Sequence, residues 1–238
     1  DLGTAALVTL VLATLQLWVY QDSVHRFLTV LIGIGALLLL LDDLQIYQGI
    51  HVLIFGIAAG AAWCWLDEPY HLTDRTLSTL YHPLGYGLVV AMQSILVLSI
   101  LPHHLFYYLP PVNWWYTTIG LTMLLLAMEY QILRAHQMTF FSPTNYLILV
   151  GTLLIAVLLY QSPGIIAAII VMLLGFQRSS RVLMGLALAF LVVFIAAYYY
   201  HLDITLLLKS LMLMSSGLAL LGLRLLLKRA FPLPEGGA

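Results

Sequence analysis

Residues 198–229 of this chain read YYYHLDITLLLKSLMLMSSGLALLGLRLLLKR, and this stretch indicates the class of the fold. Its apolar run, at about residues 204–227, is long enough to cross a hydrocarbon layer ~30 Å thick, because a helix rises ~1.5 Å per residue. The ammonium group of Lys209 lies inside the run, where a charge is costly unless it reaches an interface or a partner. The stretch therefore predicts a transmembrane helix and singles out Lys209 as a candidate functional residue.

The composition of the whole chain is typical of a membrane protein. Of its 238 residues, 63% are hydrophobic and 8% are charged, whereas soluble domains contain ~25% charged residues. We therefore predict one all-α domain over residues 1–238, a polytopic bundle of about nine transmembrane helices in a lipid bilayer. The predicted spans lie at about residues 2–20, 27–41, 44–66, 84–101, 116–133, 146–160, 165–177, 182–200 and 204–227, and the second and seventh are short for a span.

The start of the chain leads to two expectations. It begins at Asp1 rather than at a methionine, so we expect it to start inside a longer precursor or after a removed segment. The opening apolar block lacks the basic residues that introduce a signal peptide, and we interpret it as a first span. The single cysteine, Cys64, excludes a framework of internal disulfides.

The charged residues of the predicted loops separate onto two sides. If successive loops alternate, one side receives Asp42, Asp43 and Asp203 and no lysine or arginine. The other side receives Arg26, Arg75, Arg134, Arg178, Arg181, Arg224, Lys228 and Arg229. An excess of Lys and Arg marks the cytoplasmic face, which predicts a cytoplasmic C-terminus. No basic patch lies outside the loops, so nucleic acid is not expected as a partner.

Two loops have features of their own. Residues 67–83 are consistent with either a short helix lying in the membrane interface or a solvated connector. Residues 102–115 are rich in aromatic residues and proline, which favours an aromatic anchor at the headgroups over a re-entrant loop.

Three interpretations of Lys209 are open. Its long stem can lift the ammonium to the outer interface, which is roughly 9 Å away if the interface lies near Asp203. It can form a structural ion pair with Asp42, Asp43 or Asp203. It can also be a functional cation in a water-filled cavity, where it binds an anion or relays a proton.

Histidines and aspartates are predicted to collect near the same outer face. His103, His104 and His201 fall in or beside outer loops, and His51 lies close to that face, together with the three aspartates. This set suits ion binding or pH sensing, and the first three histidines are weak candidates for a divalent metal site. Their spacing fits no defined metal motif, so we expect neither a metal nor another cofactor.

Glu129 is the one carboxylate well inside an apolar block. We expect it to hydrogen-bond within the bundle or to pair with Arg134 or Arg75, and a proton relay is the third interpretation. Gly56 and Gly60 form a GxxxG pattern, which permits close approach of a neighbouring helix.

The C-terminal third resembles a known family. The matching features are Pro163-Gly164, Leu174-Gly175-Phe176, the turn at Arg181, Tyr198-Tyr199-Tyr200, Asp203-Ile204-Thr205 and Lys209-Ser210. Over about the last seventy residues the chain resembles an uncharacterised bacterial multi-pass family, a domain of unknown function found with the GDYXXLXY family of proteins. The resemblance implies an inner-membrane protein that works with a membrane or periplasmic partner, and it implies no activity.

Motifs of catalysis are absent from the sequence, which contains no HExxH, no GxSxG and no phosphate-binding loop. We therefore expect a non-catalytic scaffold or accessory subunit of an envelope complex. The alternative is a transporter or channel for a small anion or protons that uses Lys209 and the outer Asp/His cluster. A third hypothesis is a membrane enzyme that uses His103, His104, His201 and Asp203 at the outer face.

Overall fold

The fold is that of a computed structural model of the chain. It describes residues 2–20, 22–66, 75–100, 113–135, 143–160 and 162–201, together with positions 207, 210, 211, 214, 218 and 221. Within these ranges, the side chains of residues 75–80, 135, 143–147 and 201 are not described. The predicted aromatic anchor at residues 102–115 lies almost entirely outside the described residues.

The described residues confirm the all-α prediction, since they form eight long helices and no β-strand. In chain order the helices are α1 (Leu2–Val19), α2 (Ser23–Asp43), α3 (Gly49–Leu66), α4 (Arg75–Leu98), α5 (Trp115–Ala135), α6 (Pro143–Leu158), α7 (Pro163–Gln177) and α8 (Arg181–His201). Five of them are long and apolar enough to cross a membrane: α1, α2, α3, α8 and the Tyr81–Leu98 part of α4.

The chain divides into two compact units. The first, Asp1–Ile195, contains α1 to α7 and most of α8. The second, Ala196–Ala238, contains the last residues of α8 and further helical positions, among which the Ser210 hydroxyl donates to the Leu207 carbonyl at 2.8 Å. Most of the predicted ninth span lies outside the described residues.

Two predicted boundaries are wrong. The second helix is not short: α2 has 21 residues, and Asp22 caps its start by accepting a hydrogen bond from the His25 backbone N–H at 3.1 Å. Residues 67–83, for which a short interfacial helix and a solvated connector are both open in sequence, are helical from Arg75 onward, and the same helix continues through Pro83 to Leu98 instead of beginning at residue 84. Proline removes one helix hydrogen bond, but Pro83 is buried and the helix continues on both sides of it.

The seventh helix is short, as predicted, and its burial explains why this is tolerated. Of the 15 residues of α7, ten are buried, and the helix contacts α3, α4 and α5. Because its sides are covered by other helices, its length does not have to match the thickness of the bilayer.

Glycine allows close packing at particular points of the bundle. A Cβ added to Gly87 of α4 would lie 2.9 Å from Val30 Cγ1 of α2. In the GxxxG pattern, a Cβ at Gly60 would lie 3.4 Å from Leu88 of α4, whereas Gly56 has no such neighbour within 4 Å. Only one glycine of the pattern therefore serves the α3–α4 contact.

Candidate functional site

Polar contacts gather where several helices begin and end, and one such region contains His51. Its Nδ1 lies 2.6 Å from Thr117 Oγ1, which joins the first turn of α3 to the first turn of α5. Thr117 is buried, and the rings of Trp114 and Tyr116 lie beside the imidazole with centroids 6.0 and 5.5 Å away. The hydrogen bond fixes the orientation of the imidazole whichever group donates it.

Thr118 extends this region to α6. Its hydroxyl donates to the backbone carbonyl of Tyr160, just after α6, at 2.7 Å. One turn further along α5, Thr122 donates to the Thr118 carbonyl at 2.6 Å, a back-bond that keeps its hydroxyl satisfied inside the bundle. We call the group of His51, Thr117, Thr118 and Tyr160 the His51 end.

The other end of α3 makes a second set of polar contacts, formed by Trp65, Tyr86, Arg178 and Ser180, which we call the Arg178 end. Arg178 donates from Nε to the Trp65 carbonyl, so its charge lies at the C-terminus of α3, where a cation is favourable. The hydroxyls of Tyr86 and Ser180 lie 3.2 Å apart. These contacts bring together the end of α3, α4 and the turn between α7 and α8.

The turn at the Arg178 end contains a residue in the left-handed region. Ser179 has φ 50°, and the Ser180 backbone N–H donates to the Gly175 carbonyl at 2.9 Å, as at a helix end closed by a left-handed residue. Glycine usually occupies this position, because a side chain is disfavoured there.

Glu129 lies on α5 and contacts α6. Thr152 of α6 donates to its Oε1 at 2.6 Å. Glu129 is half-buried and Thr152 is buried, so this is the hydrogen bond within the bundle that the sequence predicts. Among the described side chains no ion pair joins Glu129 to Arg134, and the side chain of Arg75 is outside the description.

The aspartates predicted for the outer cluster end α2. Asp42 and Asp43 are its last two residues and are exposed. The Asp43 carboxylate lies against Gly3 in the first turn of α1, where a Cβ would overlap it. A carboxylate near a helix N-terminus is electrostatically favourable, so this contact stabilises the antiparallel pairing of α1 with α2.

Comparison with known protein families gives one match. The model of a domain of unknown function, DUF4401, matches residues 1–230. This chain belongs to the DUF4401 family. No curated protein and no solved structure matches it. The family match extends over almost the whole chain, whereas the resemblance seen in the sequence covers only about its last seventy residues.

The structure describes only part of the site predicted for this DUF4401 chain. Lys209, Asp203, His103 and His104 lie outside the described residues, and His201 is the last residue of α8. Among the described residues, no three His, Cys, Asp or Glu side chains come together as a metal site.

His51 and Glu129 occupy separate positions. Thr117, the partner of His51, precedes Glu129 by twelve residues of α5, which corresponds to a rise of roughly 18 Å. Each of the two titratable side chains therefore has its own hydroxyl partner, and they do not form one cluster.

Sequence reasoning missed Gln93 and the partner threonines in this DUF4401 chain. Gln93 is fully buried in α4, and neither its Oε1 nor its Nε2 has a hydrogen-bond partner. An amide in the apolar run VVAMQSILVL was a usable signal. Thr117 and Thr152 gave little signal, because a threonine in an apolar helix can satisfy its hydroxyl within its own helix.

Proposed function

We propose that this DUF4401 chain is a multi-pass protein of the bacterial inner membrane, with about nine spans and a cytoplasmic C-terminus. Two groups of contacts support helices that alternate in direction across the membrane. The starts of α3 and α5 and the end of α6 meet at the His51 end. The end of α3 meets the α7–α8 turn at the Arg178 end. Arg178 belongs to the latter and Arg181 is the first residue of α8 directly after it, which suits a cytoplasmic face.

Within that membrane, the proposed role is a non-catalytic scaffold or accessory subunit of an envelope complex. The observation that carries this proposal is that two titratable side chains of the described helices make contacts between helices: His51 with Thr117 and Glu129 with Thr152. Each interhelical hydrogen bond in a membrane stabilises the bundle by ~0.6–2 kcal/mol. A bundle fixed in this way offers constant surfaces to other subunits.

The expected partner is another membrane or periplasmic protein. The C-terminal third resembles a family found with GDYXXLXY proteins, so a GDYXXLXY protein is the first candidate for this partner. The test is purification of the tagged full-length chain from its native membranes after mild crosslinking, in parallel in a gentle detergent and in polymer-bounded native lipid, with an unrelated tagged multi-pass protein as control.

A second protein recovered in a fixed ratio under both conditions, and absent from the control, is the expected result. A monomer without partners under both conditions would contradict the accessory-subunit role.

The second candidate is a transporter or channel for a small anion or protons. The observation that favours it is the carboxyl group of Glu129, which is titratable, lies within α5 and is bound by a neutral hydroxyl. Lys209 and the outer Asp/His residues are the other groups proposed for the pathway.

Flux into liposomes tests this candidate. The expected result is flux by the unmodified chain, loss of flux in Lys209→Met and in Glu129→Gln, and full flux in Arg134→Gln, a change at an exposed position of α5. Absence of flux with the unmodified chain would remove the transport hypothesis.

A further inference from the structure

The Arg178 end contains a buried hydrogen-bond donor that lacks an acceptor. The indole of Trp65 is 3% exposed, and its Nε1 has no hydrogen-bond partner among the residues that the structure describes. Nε1 is the indole atom nearest to Gly85 of α4, where an added Cβ would lie 2.7 Å from it. A buried donor without an acceptor costs stability, so this part of the bundle is short of an acceptor.

The hydroxyl pair of Tyr86 and Ser180 provides a second donor. The two oxygens lie 3.2 Å apart and share one hydrogen bond. Each hydroxyl carries one proton, so the hydroxyl that accepts in this bond keeps its own O–H for a further acceptor. Tyr86 follows Gly85 directly, and its ring centroid lies 4.9 Å from that of Trp65. The indole N–H and the hydroxyl pair therefore belong to one cluster of donors.

The charge of this cluster is positive. Arg178 is half-buried, and its bond to the Trp65 carbonyl fixes the guanidinium beside the indole. The exposed Arg181 begins α8, whose first turn contains no acidic residue. Since the N-terminus of a helix carries a positive partial charge, a cation is unfavourable there and a bound anion is favourable. An anion at this end would offset both the arginines and the helix dipole.

An oxyanion of the phosphate type has the chemistry that these groups require. Its charged oxygens accept hydrogen bonds, and a guanidinium can bind two of them through parallel N–H···O bonds. A neutral acceptor would satisfy the donors without offsetting the charge, and a cation would be repelled. At a cytoplasmic membrane face, basic pockets between transmembrane helices bind the headgroups of anionic lipids.

We propose that the Arg178 end binds a phosphate oxyanion. Arg178 supplies the charge, and the neutral donors come from the Trp65 indole and from the hydroxyl pair. The expected source is the headgroup of an anionic phospholipid, and free phosphate is the other source of the same chemistry. The choice of a lipid rests on the proposed topology, which places this end at the cytoplasmic face, whereas the donors and the charge do not depend on it.

Thermal stabilisation by lipid tests the proposal. The purified full-length chain in a neutral detergent is heated with dioleoyl phosphatidylglycerol, with dioleoyl phosphatidylcholine or with inorganic phosphate, at constant ionic strength. The variants are Arg178→Gln and Tyr86→Phe, the second of which removes only a hydroxyl. The matched control is Arg134→Gln, which removes the same charge from an exposed position of α5.

The expected result is a rise of about 5 °C in melting temperature at saturating phosphatidylglycerol. Phosphatidylcholine should act much less, because its choline offsets the phosphate charge. The rise should vanish in Arg178→Gln, fall at least by half in Tyr86→Phe and persist in Arg134→Gln. A response to phosphatidylglycerol alone assigns the site to lipid, and an equal response to inorganic phosphate with the same dependence on the variants assigns it to free phosphate.

Two outcomes would overturn the proposal. Absence of stabilisation by both ligands would indicate that the chain supplies its own acceptors, for which Asp67 and Glu68 directly after α3 are the nearest carboxylates in sequence. An equal rise in the unmodified chain and in both variants would show general attraction to a basic face instead of a site.

The test also holds if one variant cannot be purified, or if the proposed role fails. Should Arg178→Gln not fold, the comparison of Tyr86→Phe with Arg134→Gln decides alone. The accessory-subunit role is tested by co-purification, so its failure leaves the anion site standing, and failure of the anion site leaves that role untouched.

Discussion

Replacing Gly87 with alanine tests the contact between α2 and α4. The added Cβ would lie 2.9 Å from Val30 Cγ1 and 3.0 Å from Val30 Cβ, whereas carbon atoms in ordinary contact are ~3.5–4.0 Å apart. Val30 is buried, and a valine in a helix has one strongly preferred χ1 rotamer, so its methyl groups cannot simply turn away. The two helices must therefore move apart.

The expected loss of folding stability follows from this overlap. Overpacking of a well-packed core destabilises by ~1–3 kcal/mol. For a chain of this size that corresponds to a fall of ~2–12 °C in apparent melting temperature, measured by tryptophan fluorescence of the protein in detergent. The matched control is Gly56→Ala in α3, where the added Cβ would have no atom within 4 Å apart from its own stretch of helix backbone. That change should be neutral, or stabilising by ~0.5–1 kcal/mol, because alanine is the better helix former.

A double-mutant cycle separates the clash from other effects of the substitution. Val30→Ala removes Cγ1, the atom nearest to the new Cβ, and keeps Val30 Cβ at 3.0 Å, so Gly87→Ala should cost less in that background, with a coupling of ~0.5 kcal/mol or more. Additive effects, or equal melting temperatures for Gly87→Ala and Gly56→Ala, would refute the close approach of α2 and α4.

Three further substitutions test individual polar groups by the same thermal measurement. Thr152→Val should destabilise by ~1–3 kcal/mol, because it leaves Glu129 without its donor, whereas Thr152→Ser should keep the hydrogen bond; equal losses in both would contradict the contact. Gln93→Leu should stabilise by ~1–3 kcal/mol, since it removes a buried amide without partners, and a lower melting temperature would show that the amide is bonded. Ser179→Gly should stabilise by ~0.5–1 kcal/mol, because glycine adopts the left-handed conformation without a side-chain penalty; a loss of stability would argue against that conformation.

The fold class could be predicted because long apolar blocks have one solution in a bilayer, the hydrogen-bonded helix. The helix boundaries were harder to predict, because they depend on local contacts that hydropathy does not report. Asp22 begins α2 before the apolar residues start, by capping the His25 backbone N–H. Pro83 reads as a helix boundary in sequence, yet it lies inside α4 because its surroundings are packed.

The candidate site was predictable residue by residue but not in its pairings. A carboxylate in an apolar block is visible in the sequence, and the hydrogen bonding expected of Glu129 is present. Its partner Thr152 is 23 residues away on another helix, and such pairs depend on the relative rotation of two helices. The same holds for His51 and Thr117, 66 residues apart. The roles predicted for Lys209 and Asp203 stay predictions, since both lie outside the described residues.

Glu129 links α5 to α6 rather than to the charged residue that follows it on its own helix. Arg134 comes five residues later, whereas Thr152 of α6 donates to the Glu129 carboxyl group at 2.6 Å. Such a hydrogen bond between helices in a membrane stabilises a bundle by ~0.6–2 kcal/mol. Glu129 therefore contributes to the contact between α5 and α6 under either proposed function, and only the flux assay separates a structural carboxyl group from one that also relays protons.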